Sequence, residues 1–390
     1  MKYLVLGGYG EMGRIASRDL AETAGNAKII IAGRDGERAG NYAGELGKRV
    51  TGVAADASKP KELADALEKN KVDVVVNCAI YYSNLDVMSA CLQAKCHYID
   101  LGGLFHMTKK QLGLDEKFKK AGLTAVLGCG STPGITNVLA AHGAGIMDKI
   151  EAINVRFAGY SWTRAETHFV VPYSMYTVFD EFTMKPAVFR DGKMAFVKPI
   201  SGKATEYFPD PIGEVKTFYT LHSELATFPA SFKSKGLKNC DFKVSFDEDF
   251  VHDVQVLIEA GAASKKYVEV AGKKVRPVDV AVKELNRLIP DNKKIKDIEY
   301  IRVSMQGTKN KKPAGLTLDC LAHSNSRWRA AAGDVDTGTP PSIVAQMLAG
   351  GIIKKRGVLP PELCVPPPRF FQELARRGME IFITEKRKVY

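Results

Sequence analysis

Three glycines near the start of the chain, Gly8, Gly10 and Gly13, have the spacing of a dinucleotide-binding fingerprint. In this fingerprint one glycine permits a tight turn, one lets the backbone approach a pyrophosphate, and one lets the following helix pack on the strand. The apolar run before them predicts a buried strand, and residues 11–24 predict the helix whose N-terminus faces the phosphates. The pattern therefore predicts a nicotinamide dinucleotide site. Its expected contacts also include Tyr9, Glu11 and Met12.

The end of the second predicted strand, residues 28–32, bears on the choice of cofactor. An acidic residue there hydrogen-bonds the ribose 2'-hydroxyl of NAD, whereas an arginine accommodates the 2'-phosphate of NADP. The chain has Gly33 at this position, followed by Arg34 and Asp35. We therefore expect NADP to be preferred, with Arg34 on the phosphate. The alternative is that Arg34 is solvated and Asp35 reaches the ribose, so NAD is possible.

Further cofactor contacts are expected where the next two strands end. Asp56 and Ala57 follow the predicted strand 50–54, and Asp56 either meets the adenine or caps the helix that begins near Pro60. The predicted strand 72–76 ends at a second group of residues. Because ligands bind outside the carboxyl ends of parallel strands, this group should lie along the nicotinamide half of the cofactor. It consists of Asn77, Ala79, Ile80 and Tyr81.

Alternating strand and helix patterns in the first third of the chain predict an α/β fold, a Rossmann-type doubly wound parallel sheet. A strand is expected at 97–101, a helix from about His106 to Ala121, and a strand at 123–127. The glycine-rich segment 128–134 is then the exit to a second domain. That domain is expected to be α+β, with strands that include 242–246, 251–259 and 299–306. Helices are predicted after Pro340-Pro341, at 342–349, and at 370–377.

Composition excludes several classes of protein. The 390 residues suffice for two domains, 45% are hydrophobic and 26% are charged, as in ordinary globular proteins. No apolar run predicts a membrane span, and we expect a cytoplasmic protein. The seven cysteines contain no CxxC pair, so neither a disulfide framework nor a metal site is expected. The net charge of +12 comes from interspersed acids and bases, and we expect no nucleic-acid partner.

Several segments together give the chain a resemblance to a known family. They are LGGYGEMG at the start, VVVNCAIYYSN, YIDLGG, TPGITNVLAAHGA, and IVAQMLAGGIIKKRGVLPPE near the end. These segments resemble the saccharopine dehydrogenase family, and most closely its lysine 6-dehydrogenase branch. Saccharopine reductase and carboxynorspermidine dehydrogenase are more distant. The chain departs from the reductase branch at Thr132, where that branch has an aspartate, and from the lysine dehydrogenases at Gly33-Arg34, where those have an acid.

The resemblance implies hydride transfer, dependent on NAD(P), at a carbon bearing nitrogen in a lysine-derived amino acid or related amine. It also implies that the tail packs back on the first domain, so that residues 1–130 and 335–390 form the dinucleotide-binding domain and 131–334 the substrate domain. A small amino acid or amine is the expected substrate, and a homodimer the expected assembly.

Such a reaction needs a neutral amine, and therefore a group that takes up its proton. His106 is the predicted base, although it could instead pack on its own helix. Asp100, at the end of a strand, could hold the ammonium or orient His106; a structural carboxylate bound by turn amides is the alternative. Tyr81 could donate a hydrogen bond to substrate or ribose, or simply form a pocket wall.

Substrate-binding residues are expected in the second domain. The segment YTLHSEL places Tyr219, His222 and Glu224 in a short span, where Glu224 could bind an ammonium and His222 a carboxylate. Arg164 and Tyr173 belong to a polar, aromatic stretch that could reach the same cleft; Arg164 and Arg156 could each bind an α-carboxylate. Two other functions stay open: condensation of an amine with an aldehyde or keto acid followed by reduction, and a non-catalytic NADPH sensor.

Overall fold

The structure, a computed structural model, describes residues 1–163, 167–288 and 295–387. The first domain is built on a seven-stranded sheet whose strands are all parallel, in the order β17-β6-β5-β4-β1-β2-β3. The strands are β1 Lys2–Leu6, β2 Lys28–Gly33, β3 Val50–Ala54, β4 Val74–Asn77, β5 His97–Asp100, β6 Thr124–Val126 and β17 Gly357–Leu359. This strand order is that of a doubly wound dinucleotide-binding fold, as predicted.

Helices connect these strands and cover the sheet. They are α1 Glu11–Thr23, α2 Gly36–Leu46, α3 Pro60–Asn70, α4 Asn84–Ala94, α5 Leu104–Leu112 and α6 Asp115–Lys120. The apolar side chains of β1 are buried on both faces of the sheet, with Val5 in one hydrophobic cluster and Leu4 in another. This two-sided burial explains why the strand reads as a continuous apolar run.

The second domain is built on a mixed sheet of nine strands. Its main path is β10-β11-β12-β7-β15-β16-β18, and a hairpin of β8 and β9 joins it through β12. The strands are β7 Lys149–Ser161, β8 Ala187–Arg190, β9 Lys193–Phe196, β10 Ala204–Tyr207, β11 Glu214–Tyr219, β12 Asn239–Ser245, β15 Asp297–Lys309, β16 Lys312–His323 and β18 Glu380–Arg387. A separate hairpin consists of β13 Val268–Val270 and β14 Lys273–Val275.

The remaining helices pack on this sheet or join the two domains. They are α7 Ile135–Ile146, α8 Met175–Thr183, α9 Glu224–Ser231, α10 Glu248–Glu259, α11 Pro277–Leu285, α12 Ala332–Ala349 and α13 Pro367–Ala375. The longest, α12, lies against α1 of the first domain so closely that a Cβ on Gly338 would be 2.6 Å from Cβ of Ile15. The N-terminus of α1, where the fingerprint lies, is therefore backed by a helix from the far end of the chain.

Several predicted elements were wrong. Residues 251–259 are helical, in α10, because Asp247 caps the helix and Val251 and Val254 point to the core. The helix expected from His106 to Ala121 is two helices, α5 and α6. Helix α12 begins at Ala332 and runs through Pro340 and Pro341, which are buried against neighbouring elements. Packing thus outweighs the hydrogen bonds that the two prolines remove.

The tail divides between the two sheets. Strand β17 extends the parallel sheet beside β6, whereas β18 is an edge strand of the second sheet and pairs with β16. Assigning all of 335–390 to the first domain was therefore wrong for residues 380–387. Within the ranges that the structure describes, no helix has the length and apolar composition needed to cross a membrane.

Candidate active site

The fingerprint glycines form a backbone cradle at the N-terminus of α1. A Cβ on Gly13 would lie 2.1 Å from the carbonyl oxygen of Gly7, and one on Gly8 would lie 2.8 Å from that of Val5. Gly10 is the N-cap of α1, and no side chain caps the helix there. The first amides of α1 are thus left for an anionic ligand. The residues present fit a dinucleotide pyrophosphate.

At the tip of β2, the Tyr9 ring fills the space that an acidic side chain would need. A Cβ on Gly33 would lie 2.4 Å from that ring, and the Asp35 amide donates a hydrogen bond of 3.0 Å to the Tyr9 hydroxyl. The Asp35 carboxylate caps α2 by accepting from the Arg38 amide, and the Arg38 guanidinium lies 4.9 Å from the centre of the Tyr9 ring. Arg34 and Arg38 are both exposed. Arg38 was not among the predicted residues.

The other predicted cofactor residues border the same edge of the sheet. Asp56 accepts hydrogen bonds from both the amide and the hydroxyl of Ser58, which lower its pKa, so it shapes the turn before α3. Asn77 is buried; its amide group donates to Asn84 and to Tyr98, and its oxygen accepts from the amide of Ala79. Ala57, Ala79 and Ile80 lie on the two loops that these residues shape.

Asp100 is the centre of a buried network. Its Oδ1 accepts from the amides of Gly102 and Gly128, and its Oδ2 accepts from Tyr98, Gln111 and Asn84. Burial raises the pKa of Asp100 above its ordinary value, and these hydrogen bonds offset only part of that rise. The network ties β5 to α4, α5 and the segment after β6. No hydrogen bond joins Asp100 to His106 among the described residues, and the turn amides bind Asp100 as the structural alternative expected. A catalytic role for Asp100 stays a prediction.

His106 lies exposed on α5, where its ring stacks on Phe196 of β9 at 6.0 Å and meets Phe105 edge-on. Two residues further on, Thr108 points the other way and donates to Ser223. His106 therefore contacts aromatic rings and is separate from the acidic groups described below.

Tyr81 links the two domains. Its hydroxyl donates a hydrogen bond of 2.5 Å to Oδ2 of Asp180 on α8, which also accepts from Tyr82. Lys265 pairs with the other oxygen of Asp180 at 2.5 Å. Asp180 is buried, and burial followed by this hydrogen bond raises the pKa of Tyr81. The Tyr81 hydroxyl thus joins the loop after β4 to α8.

His222 and Glu224 form a buried pair next to the end of β5. Nδ1 of His222 lies 2.5 Å from Oε2 of Glu224, and the ring stacks on Phe242 at 3.7 Å. The other oxygen of Glu224 accepts from Thr136. Burial lowers the pKa of His222. The negative charges of Glu224 and then Glu181 raise it by more, so the pKa lies above its ordinary value.

Tyr173 is hydrogen-bonded to a second acid, Glu181, whose pKa is influenced by His222. Its hydroxyl donates to Oε2 of Glu181 on α8 at 2.5 Å. Burial raises the pKa of Glu181 to about 7, while His222 and Tyr173 oppose the shift. The negative charge of Glu299 on β15 also raises the pKa of Tyr173. Glu181 and Glu299 were not predicted.

Glu299 in turn meets Asp336 of α12. Burial and then the charge of Asp336 raise the pKa of Glu299, and burial raises that of Asp336 to about 7. Hydrogen bonds and charge interactions therefore connect six residues from distant segments, which we call the carboxyl cluster: Tyr173, Glu181, His222, Glu224, Glu299 and Asp336. Across the described chain, none of its acids is paired with a lysine or an arginine.

Not every predicted substrate residue joins the cluster. The Tyr219 ring lies instead against Arg190 and Lys243 and fills the space over Gly202. The side chains of the segment YTLHSEL therefore do not all face the same site. Arg156 is paired with Glu206 and Asp241, the structural alternative. Arg164 lies outside the described residues.

Family comparison accounts for both domains. Residues 3–126 match the model of the saccharopine dehydrogenase NADP-binding domain, and residues 130–379 match the model of the saccharopine dehydrogenase C-terminal domain. The chain belongs to the saccharopine dehydrogenase family. The predicted family and fold class, and the prediction of a nicotinamide-dependent oxidoreductase acting at a carbon–nitrogen bond, are confirmed.

Two relatives and one solved structure extend over most of the chain. Carboxyaminopropylagmatine dehydrogenase from Synechocystis sp. is 24% identical over 97% of this chain and 96% of its own length. Carboxynorspermidine synthase from Vibrio cholerae is 24% identical over 94% and 88%, respectively. Apo saccharopine dehydrogenase (L-Glu forming) from Saccharomyces cerevisiae, at 16% identity, has the same fold over 99% of both chains, with a TM-score of 0.76. The placement nearest to the lysine 6-dehydrogenase branch stays a prediction.

Proposed function

We propose that this member of the saccharopine dehydrogenase family joins a cationic amine to an aldehyde and reduces the resulting imine with NADPH. The carboxyl cluster carries the proposal. It contains four acids, Glu181, Glu224, Glu299 and Asp336, and one histidine, His222, which pairs with Glu224 and acts on the pKa of Glu181. Buried carboxylates are costly unless a cation compensates them. An amine substrate, which is an ammonium in water at neutral pH, would supply that cation.

The names of the relatives fit this substrate class. Carboxyaminopropylagmatine and carboxynorspermidine are both secondary amines with several basic nitrogens and one carboxyl group. Oxidation of the carbon–nitrogen bond of a carboxyaminopropyl amine to the imine, followed by hydrolysis, leaves a free amine and aspartate semialdehyde. We propose that this chain acts on an amine of this kind, in preference to lysine or saccharopine.

The pair Tyr173 and Glu181 suits proton removal from the amine. A carboxyl whose pKa is raised to about 7 is a balanced mixture of acid and base at neutral pH, as efficient proton transfer requires. Glu181 would accept the ammonium proton, directly or through the half-buried Tyr173. The neutral amine then adds to the aldehyde carbon. His222, held by Glu224, would donate a proton as the hydroxyl leaves as water, which gives the protonated imine.

NADPH supplies the hydride that reduces the imine carbon. The preference for NADP is a proposal supported at the tip of β2. There Tyr9 occupies the place of the acid, Asp35 caps α2, and Arg34 and Arg38 remain exposed. Two positive side chains at this point suit a 2'-phosphate. The homodimer and the cytoplasmic location stay predictions.

The test is an absorbance assay of nicotinamide oxidation. Agmatine or 1,3-diaminopropane would be mixed with aspartate semialdehyde and NADPH or NADH; lysine and saccharopine would be tested with NADP and NAD. We expect turnover with an amine and the aldehyde together, faster with NADPH, and none when either is omitted. Turnover confined to oxidation of lysine or saccharopine would overturn the proposal. Tight NADPH binding with no turnover would favour the sensor.

A further inference from the structure

Glu299 occupies a space that two glycines leave open. A Cβ on Gly333, in the first turn of α12, would lie 2.7 Å from Oε1 of Glu299. A Cβ on Gly159, its partner on β7, would lie 3.3 Å from its Cγ. The side chain is half-buried. The backbones of two elements thus pass close to this side chain, which stays partly exposed.

Asp336 is buried and lacks a donor for one of its oxygens. Oδ1 accepts from the Thr337 hydroxyl at 3.1 Å, whereas Oδ2 has no hydrogen-bond partner in the part of the chain that the structure describes. The Ser131 hydroxyl, which also has no partner there, lies close enough to lower the pKa of Asp336. The carboxyl that it meets belongs to Glu299. A buried acceptor without a donor is rare in proteins and calls for a ligand or a proton.

The surroundings of the pair are also acidic. Asp297 of β15 and Asp334 of α12 add negative charge. A guanidinium nitrogen of Arg14 on α1 forms a salt bridge of 2.8 Å with Oδ2 of Asp334. Tyr173 faces the pair from the segment before α8, and Thr337 packs on Gly130 in the loop that follows β6. The pair therefore lies between the dinucleotide end of α1 and the rest of the carboxyl cluster.

We propose that Glu299 and Asp336 form a subsite for a second cationic group of the substrate, an ammonium or guanidinium that an alkyl chain separates from the reacting nitrogen. The inference rests on the proposed function. Such a group donates to Oδ2 of Asp336 and to Glu299, and it relieves the repulsion between two adjacent carboxylates. Because the pKa values of both acids are raised, the pair holds a proton at neutral pH, and binding of the cation releases it to solvent. The enzyme therefore selects diamines over monoamines.

The test compares 1,3-diaminopropane with propylamine, each with aspartate semialdehyde and NADPH. We expect kcat/KM to favour the diamine by about tenfold or more, and Glu299→Gln to reduce this ratio about tenfold through the KM for the diamine. Glu362→Gln is the matched control, since Glu362 is a buried carboxyl that already accepts from Asn137 and Ser231. For Glu362→Gln, the ratio of kcat/KM for the diamine to kcat/KM for propylamine should equal that of the wild type.

Calorimetry adds a readout independent of turnover. The diamine would be titrated into the complex with NADP⁺ at pH 7, in two buffers of different ionisation enthalpy. Proton release is expected for the wild type and not for Glu299→Gln. Turnover of both amines at equal efficiency, or binding of the diamine without proton release, would overturn the subsite while the proposed function stands. Failure of every amine to support turnover would overturn the function itself.

Discussion

At the scale of single residues, cofactor choice depends on the side chains at the tip of β2. Arg34→Asp should weaken NADPH binding by about tenfold to a hundredfold, because a charge-assisted contact to the 2'-phosphate is replaced by repulsion. NADH binding should change far less. Fluorescence titration with both cofactors measures this. Lys28→Asp, at the other end of the same strand, is the control. Equal losses for the two cofactors would contradict the assignment of Arg34.

The two histidines of the sequence analysis differ in their surroundings, and mutation decides between them. His222 is buried against Glu224, whereas His106 is exposed beside aromatic rings. We expect His222→Gln to lower kcat by about a hundredfold or more, the usual contribution of a proton-transfer group, and His106→Gln to lower it much less. Steady-state assays on both variants test this. The reverse order would restore His106 as the base.

Glu181 makes stability depend on pH. Its pKa is raised to about 7, so between pH 4.5 and 7 the folded protein keeps a proton that the unfolded chain has lost. The stability that this proton confers is complete below pH 4.5 and is lost as pH rises through 7.

Glu181→Gln removes this titration while keeping an acceptor for Tyr173. Relative to wild type, the variant should gain up to about 3 kcal/mol in free energy of unfolding between pH 4.5 and 8, since one pKa unit corresponds to about 1.36 kcal/mol. Urea unfolding at several pH values measures the difference. A constant difference would show that Glu181 titrates normally.

At the scale of elements, the contact between α1 and α12 fixes the dinucleotide cradle. Gly338→Ala would place a Cβ 2.6 Å from Ile15 and 2.9 Å from the carbonyl oxygen of Met12. We expect a loss of about 1–3 kcal/mol in stability, typical of overpacking, together with weaker NADPH binding.

Gly40→Ala on α2 is the control for this substitution. No atom lies within 4 Å of its added Cβ, so it should stabilise the protein by about 0.5–1 kcal/mol through helix propensity. Thermal and urea unfolding measure both variants. Similar effects at Gly338 and Gly40 would show that α12 does not pack against α1 in solution as described.

At the scale of the whole molecule, Asp180 joins the two domains through Tyr81 and Tyr82. A double-mutant cycle of Tyr81→Phe and Asp180→Asn should give a coupling free energy of about 1 kcal/mol or more, since the hydrogen bond involves a buried carboxylate. Urea unfolding of the four proteins measures it. Additivity within about 0.5 kcal/mol would mean that the two residues do not meet in solution.

Much of the first domain follows from local pattern. The strand, glycine turn and helix of the fingerprint, and the absence of an acid at Gly33, can be read from neighbouring residues, because each depends on a short segment. Errors arose where packing outweighed local preference. Burial carries α12 through Pro340 and Pro341, and the apolar residues of 251–259 fit a helix face as well as a strand.

The sequence by itself determined the fold class, the family and the kind of cofactor, since these depend on contiguous motifs. Only the tertiary structure decided which acids meet. Glu181, Glu299 and Asp336 come from a helix, a strand and another helix, and no spacing rule connects them. One local signal was available: Asp180 and Glu181 interrupt the apolar face of α8, where charged residues need partners. Their partners lie far away in sequence, so only folding brings them together.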